Sequence, residues 1–161
     1  LVAYSGDAEM NRTEKEEYII GFISLISNKI VQFGDLMLTD ITFPQWFLLM
    51  MISKMEQQEK TINSIAEFVG SSRQNVKKML NLLAGKGYVL IEKSSSDKRA
   101  LNVKLTPKTW QYFSDHDALA TNEINKLFSA FSVDEIDHLS TALEKLLKAF
   151  ETYRMENKNN D

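Results

Sequence analysis

Hydrophobic residues recur every three to four positions in several stretches of the chain, a spacing typical of amphipathic helices. The first such stretch covers 12–34, and the last begins near residue 133. Each is long enough for several helical turns and carries a broad apolar face. A long helix is therefore predicted near either end, with these apolar positions: Ile19, Phe22, Ile23, Ile26, Ile30 and Phe33 in the first, and Ile136, Leu139, Leu143, Leu146, Leu147 and Phe150 in the last.

Helix start and stop signals mark two shorter helices after the first long one. Thr42, followed by Pro44 and Gln45, has the spacing of an N-cap with a capping box. The helix that it opens, PQWFLLMMISKM, is apolar on nearly every side, which predicts that it is buried. A short helix over 61–69 follows, and it is expected to stop at Gly70.

The next segment combines a polar-faced helix with two strands. Ser72 is the expected N-cap of the helix RQNVKKMLNLLA, which Gly85 and Gly87 bring to an end. YVLIEK is rich in strand-forming residues, and ALNVKL alternates apolar with polar positions. The serine-rich stretch between them predicts the turn of a β-hairpin.

Two capping signals open helices in the last third of the chain. Thr106-Pro107 predicts the start of a long helix, and Ser132 with Glu135 has the spacing of a second capping box. The predicted order is helix, helix, short helix, helix, two-stranded hairpin, helix, helix. The centre, 43–105, has the layout of a winged helix-turn-helix. We therefore predict one mainly α domain over the whole chain, with a small β-hairpin.

Composition indicates an ordinary soluble protein, with 43% hydrophobic and 25% charged residues. The apolar runs YIIGFISLIS and FLLMMI are shorter than the ~20 residues of a membrane span, so no membrane partner is expected. There are no cysteines, which excludes disulfides, thiolate metal sites and thiol-based redox switches. No signal peptide is recognisable near the N-terminus, and the protein is expected to be cytoplasmic.

Charge is distributed unevenly along the chain, whose net charge is −3. Residues 71–104 contain eight basic and two acidic residues, whereas the remainder contains 11 basic and 20 acidic ones. A basic segment within an acidic chain is typical of a local surface that binds a polyanion. A surface loop with surplus lysines would give the same count, so this alternative stays open on charge alone.

The helix after Ser72 has an outward face suited to DNA. At 100° per residue, Val76, Met79, Leu80 and Leu83 cluster on one side. The opposite side carries amides and lysines without a carboxylate, whereas a solvated helix face usually mixes Glu with Lys. Amides can pair with base edges and lysines can reach guanine or phosphate. The candidate DNA-binding residues of this helix are Ser72, Arg73, Gln74, Asn75, Lys77, Lys78 and Asn81.

The same region resembles the winged helix-turn-helix core of MarR-family transcriptional regulators. The marks are LLAGKGYV at the end of the helix, Asp97 and Arg99 in the wing, and Leu105-Thr106 after the second strand. The upstream FPQWFLL helix also fits, and the helix order resembles the family over nearly the whole chain. The sequence departs from the pattern at Ala84, where the family usually has Glu, and at Thr109, where it usually has Gly.

The resemblance implies a homodimer whose first and last helices interlock, with 12–34 and 106–158 as dimerisation helices around the 43–105 core. The broad apolar faces of these helices favour a dimer independently, because they require a cover. Packing of the two terminal helices within one chain is the alternative. The resemblance also implies that the hairpin tip contacts DNA, with Arg99 as the main contact and Asp97 bracing it. The candidate wing residues are Ser95, Ser96, Asp97, Lys98 and Arg99.

A small-molecule effector, often an aromatic anion, is a further implication of the resemblance. The expected mechanism is repression by a homodimer bound to a pseudo-palindromic double-stranded operator, relieved when the effector binds. Aromatic and Met residues at helical spacing are more often simple core. The candidate pocket residues are Tyr18, Phe22, Trp46, Phe47 and Met50.

Two rival functions remain to be weighed. An enzyme would need a site, and the only histidines, His116 and His138, lie among carboxylates that could bind a metal. Adjacent helical residues diverge by about 100°, however, and no catalytic motif is present, so we expect neither an enzyme nor a cofactor. The second rival is a winged helix that binds only protein partners.

Overall fold

The computed structural model describes residues 10–94 and 100–158, in which six helices and one antiparallel hairpin form. The mainly α fold class with a small hairpin is confirmed. In chain order, the elements are α1 Arg12–Met37, α2 Phe43–Lys54, α3 Ile62–Phe68, α4 Arg73–Gly85, β1 Val89–Lys93, β2 Leu101–Leu105, α5 Pro107–Leu127 and α6 Val133–Lys158.

Several of the predicted capping signals operate as the sequence suggested. The Gln45 side chain accepts the Thr42 amide at 3.2 Å, and the Ser132 amide donates to the Glu135 carboxylate at 2.8 Å. That hydrogen bond, with a second one from the Ser132 hydroxyl, lowers the pKa of Glu135. Gly70 has the positive φ of 66° expected where α3 stops.

The first helix is longer than the sequence pattern indicated. We expected GDLMLTD to interrupt it, yet α1 continues through Met37. Gly34 is buried in this last part of α1, against the Phe43 side chain. A glycine occupies this helical position because only a residue without a Cβ leaves room for the Phe43 ring.

Among the helices of the described residues, α1 alone is long and apolar enough to cross a membrane. The prediction that no apolar segment is long enough is therefore wrong by this criterion. That prediction counted uninterrupted apolar runs, whereas α1 intersperses Ser24, Ser27 and Asn28 among its apolar residues. An apolar helix that covers another protein surface can have the same length and composition.

The core forms around α2, as its nearly uniform apolar sequence predicts. Leu48, Leu49 and Ile52 are at most 1% exposed. The inner residues of α3, α4 and the hairpin pack with them, including Ile65, Leu80, Val89 and Val103. Burial of these side chains is the main stabilising contribution to this part of the fold.

The hairpin pairs five residues of each strand, from Val89 opposite Leu105 to Lys93 opposite Leu101. A short third strand segment extends it, because Thr61 forms a bridge to Asn102. The Asn102 side chain also accepts the Lys60 amide at 2.8 Å. These bonds fix β2 to the start of α3.

The chain divides into two compact units after Asp117. The second unit contains the C-terminal part of α5 and the whole of α6. Among the described side chains of α6, only Leu146 is partly buried and the rest are exposed. The exposed side chains include Leu139, Leu143, Leu147 and Phe150.

Candidate nucleic-acid interface

A tight turn presents α4 at the surface of the first unit. Gly70 ends α3, and two residues later Ser72 opens α4, its hydroxyl oxygen accepting the Asn75 amide at 3.2 Å. The Asn75 side chain in turn donates to the Ser71 hydroxyl at 3.1 Å. The first turn of α4 is thus held in place by its own side chains.

The predicted orientation of α4 is confirmed. Val76, Leu80 and Leu83 are fully buried, and Met79 is half-buried. The opposite face is exposed and consists of Arg73, Gln74, Asn75, Lys77, Lys78 and Asn81. This set offers amide donors and acceptors beside three cations, and it contains no carboxylate.

The cations of α4 are available to a ligand. Among the residues that the structure describes, Arg73, Lys77 and Lys78 form no salt bridge. Two other lysines of the basic segment are engaged, Lys86 with Asp40 and Lys104 with Glu92. Within the described part of the basic segment, the cations without a salt bridge are therefore the three on the outer face of α4 and Lys93 at the end of β1.

A cleft of about 230 Å³ lies beside this face. Arg73 and Lys77 line one side, while Thr61, Asn63 and Leu101 contribute from α3 and β2. Two cations, one hydroxyl and one side-chain amide around one cleft form a surface that a phosphate group can occupy.

The loop end of the hairpin is tied to the segment before α3. The Ser94 hydroxyl donates to the Glu59 carboxylate at 2.6 Å, and Ser94 is 5% exposed. The Ser94 amide donates to the Ala100 carbonyl at 3.0 Å, closing the hairpin where its strands end. The predicted wing residues Ser95, Ser96, Asp97, Lys98 and Arg99 lie outside the described residues.

The candidate effector residues occupy two separate places within the first unit. Tyr18 and Phe22 stack on each other along α1, with ring centroids 5.1 Å apart, and both are partly exposed. On α2, Trp46 and Phe47 both stack on the Phe43 ring. The Met50 side chain is half-buried on the same helix.

An aromatic neighbour from α5 completes the α2 group, and sequence reasoning did not include it. The ring of Phe113 lies edge-on to Trp46 at 6.3 Å and to Trp110 at 5.9 Å. Its apolar position in α5 was the only available signal.

A cluster around Asp40 was also missed. The Tyr88 hydroxyl donates to the Asp40 carboxylate at 2.6 Å, and the ammonium groups of Lys86 and Lys108 lie 3.5 Å from the same carboxylate. The hydrogen bond from Tyr88, with the two cations, lowers the pKa of Asp40. Burial, together with the Asp40 carboxylate, raises the pKa of Tyr88. These residues are far apart in sequence, so no local pattern could have assembled them.

Two residues that sequence reasoning treated otherwise have structural partners. Thr109, noted as a departure from the family pattern, is fully buried and its hydroxyl donates to the Tyr88 carbonyl at 2.5 Å. His116, a candidate metal ligand, stacks on the Tyr112 ring at 4.0 Å, and its Nδ1 lies 2.9 Å from the Tyr112 carbonyl. Among the described residues there is no group of three or more His, Asp or Glu side chains that could hold a metal ion.

The MarR family model matches residues 39–100, which run from the link before α2 through β1 and stop just before β2. The Escherichia coli K12 transcriptional repressor MprA is 30% identical over 103 residues, which cover 62% of this chain and 58% of MprA. The chain is therefore similar to MarR-family regulators over its winged helix-turn-helix segment. It spans 58% of the curated relative that it matches.

Solved structures of MarR-like regulators share the fold. The Staphylococcus aureus MepR–DNA complex superposes with a TM-score of 0.67 at 23% identity, over 80% of this chain and 94% of MepR. An organohalide-sensing transcriptional regulator, solved with bound 2,4-dichlorophenol, gives a TM-score of 0.73 at 17% identity, over 92% of this chain and 89% of that one. At these identities the likeness concerns the fold.

Proposed function

We propose that this chain is a MarR-family regulator and one subunit of a homodimeric, sequence-specific regulator of transcription that binds double-stranded DNA. It acts as a repressor by occupying a pseudo-palindromic operator. The observation that carries the proposal is the outer face of α4, where exposed amides and free cations oppose a fully buried apolar face. The match of residues 39–100 to the MarR family model and the fold shared with a DNA-bound MepR structure support it.

The α4 side chains divide by chemistry into two roles. Gln74 and Asn81 are exposed amides that can pair with base edges in the major groove. Lys77, Lys78 and Arg73 supply the positive charge that attracts the phosphate backbone, and Arg73 and Lys77 also line the neighbouring cleft. The wing residues 95–99, Arg99 above all, are proposed to add contacts beside the same helix.

The dimer is proposed from exposed apolar surface. On α1, Ile19, Ile26 and Ile30 are each more than 40% exposed, and on α6 Leu143 and Leu147 are 45% and 60% exposed. Contiguous apolar faces of this length require a cover, and a second copy is the simplest one. In the dimer, 12–34 and 106–158 supply the interface, and two α4 helices face successive major-groove segments about 34 Å apart.

An aromatic effector is the finer part of the proposal. The aromatic group formed by Trp46, Phe47, Trp110 and Phe113, together with Phe43, offers flat apolar surface and half-exposed rings, with Phe47 40% and Trp110 53% exposed. A regulator of the same fold was solved with a chlorinated phenol. The dimer has one arrangement of its subunits that fits the operator and another that does not. An effector relieves repression only if it binds the second arrangement more tightly than the first.

Selection from random DNA tests the proposal. Purified protein is incubated with a random duplex library, bound DNA is amplified, and the enriched sequences are footprinted. The expected result is an enriched motif with dyad symmetry, protected over two half-sites. Recovery of no motif, together with capture of a protein partner through the α4 face, would instead favour a winged helix that binds proteins only.

A further inference from the structure

Three segments of the first unit meet at one carboxylate. Asp40 lies in the link between α1 and α2, and it accepts a 2.6 Å hydrogen bond from the Tyr88 hydroxyl. Lys86 and Tyr88 both belong to the short link between α4 and β1, and Lys108 belongs to the first turn of α5. Asp40 therefore connects the end of α4 to the beginning of α5 and to the end of α1.

Lys108 strengthens the same junction from α5. Its ammonium donates to the Lys86 carbonyl at 2.8 Å and lies 4.3 Å from the centre of the Tyr88 ring. A cation at this position also interacts favourably with the C-terminal end of the α4 dipole. Lys86 in turn donates from its ammonium to the backbone carbonyl of Asp40. The end of α4 is thus held from both sides.

The ring of Tyr88 is buried at this junction and packs against α5. Tyr88 is 1% exposed, and its ring packs edge-on against Tyr112 of α5 at 5.3 Å. The Thr109 hydroxyl donates to the Tyr88 carbonyl at 2.5 Å. Asp40 itself is about half exposed, with 46% of its side chain accessible, so the carboxylate lies outside the core that it connects.

The location of this junction determines what it can control. The N-terminal end of α4 follows directly from α3, whereas its C-terminal end is held by Asp40 and Lys108. We expect that loss of these contacts would let the C-terminal end of the 13-residue helix α4 shift and so change its tilt. In a two-fold symmetric dimer the α4 helices of both subunits would tilt together. The separation between the two DNA-reading faces would then change by the sum of the two shifts.

We propose that Asp40 is a positioning residue for DNA recognition, which fixes α4 relative to α5 and thereby sets the half-site spacing that the dimer accepts. The inference depends on the proposed function, because spacing has meaning only for a dimer that binds DNA. Asp40 does not contact DNA in this account. Its loss changes which spacing is accepted more than it changes the attraction to DNA as such.

The test measures spacing selectivity. Duplexes are made from the selected operator with one or two base pairs inserted or removed between the half-sites, and affinities are measured by fluorescence anisotropy. Wild type is expected to discriminate against altered spacing by about tenfold or more. Asp40→Ala and Tyr88→Phe are each expected to reduce that discrimination by about threefold or more, and Asp40→Glu is expected to restore part of it.

Glu92→Gln is the matched control. It removes a carboxylate of similar exposure, 49% against 46%, from a 2.7 Å ion pair with Lys104. That pair joins only the two strands of the hairpin, so spacing selectivity should stay at the wild-type value. Thermal unfolding by circular dichroism establishes that each variant is folded at the assay temperature. If Asp40→Ala does not fold, Tyr88→Phe, which removes a single hydroxyl, decides the question.

The outcomes separate the inference from the function beneath it. Equal weakening at every spacing would make the Asp40 junction a general stabilising contact and overturn the inference. Unchanged selectivity in Tyr88→Phe and Asp40→Ala would also overturn it, while DNA binding by wild type would leave the proposed function standing. Failure of wild type to bind any selected DNA would overturn the proposed function, and the inference with it.

Discussion

The buried Gly34 of α1 lies directly against the side chain of Phe43, the first residue of α2. A Cβ added at Gly34 would come within 2.8 Å of the Phe43 Cβ and still closer to its ring. The two helices therefore approach as closely as they do only because residue 34 has no side chain.

Gly34→Ala is expected to destabilise the protein. Overpacking at this contact costs about 1–3 kcal/mol, which exceeds the ~1 kcal/mol that alanine gains over glycine within a helix. Chemical denaturation monitored by circular dichroism should show a lower free energy of unfolding.

Gly85→Ala provides the control for Gly34→Ala. A Cβ at Gly85 meets nothing within 4 Å, so this helical glycine can be replaced without a clash. A gain of about 0.5–1 kcal/mol is expected. Equal effects of the two substitutions on the free energy of unfolding would show that the Gly34–Phe43 contact does not limit the packing of α1 on α2.

Local chemistry made most of the fold predictable. Ser72, Gly70 and the Ser132–Glu135 pair are capping and stop signals whose effect depends on nearby residues only. The extension of α1 beyond Gly34 could not be predicted, because it depends on a ring in the next helix. Propensity disfavours a glycine inside a helix, and a tertiary contact overrode that preference.

The exposed leucines of α6 belong to the proposed dimer interface. A single charged substitution among them is expected to disrupt the dimer. Leu143→Glu places a carboxylate on the apolar face of α6, where burial in an interface without a partner is costly. Sedimentation velocity should find wild type as a dimer and this variant as a folded monomer at the same concentration.

Leu90→Glu is the control for the dimer, since Leu90 is 54% exposed on the hairpin and Leu143 is 45% exposed on α6. It should remain dimeric. A wild-type monomer that floats with lipid vesicles would contradict the dimer and assign the apolar surface of α1 to a membrane.

Gln74→Ala is expected to relax sequence preference. An exposed amide that pairs with a base edge contributes about 1–3 kcal/mol of discrimination at one base pair. Repeating the DNA selection with the variant should flatten one position of each half-site and leave the others unchanged. Gln111→Ala removes an exposed glutamine from α5 and should leave the motif intact. A wild-type motif from Gln74→Ala would show that this side chain does not read DNA.

The stability difference between wild type and Asp40→Asn is expected to depend on pH. The folded protein holds the pKa of Asp40 below its ordinary value, because Tyr88 donates a hydrogen bond and two lysines lie nearby. Its contribution is therefore present above the unfolded pKa of about 3.9, and it is lost as the pH falls through the lower folded value. We expect wild type to have a higher free energy of unfolding than Asp40→Asn at neutral pH. This difference should become smaller in acid.

Tyr88→Phe serves as the reference background for the pH experiment. The Tyr88 hydrogen bond is the largest cause of the Asp40 shift, so the effect of Asp40→Asn should be smaller in the variant that lacks it. A wild-type difference that is the same at neutral and acidic pH would contradict the role assigned to the carboxylate.

The candidate interface was predictable only where one helix contains it. The exposed and buried faces of α4 follow from helical periodicity, so Gln74, Lys78 and Val76 fall where the sequence placed them. The Asp40–Tyr88 contact joins residues 48 positions apart and depends on how the helices pack. Periodicity carries no information on such a pair. Thr109 illustrates the same limit, because its partner is a backbone carbonyl of another segment.

The central claim is that the outer face of α4 binds DNA through its free cations, and salt dependence tests it most directly. Affinity for the selected operator is measured from low to physiological salt by fluorescence anisotropy. The account predicts that the logarithm of the association constant falls linearly with the logarithm of salt concentration, with a slope steeper than about −3. Absence of binding at low salt, or a slope near zero, would contradict it.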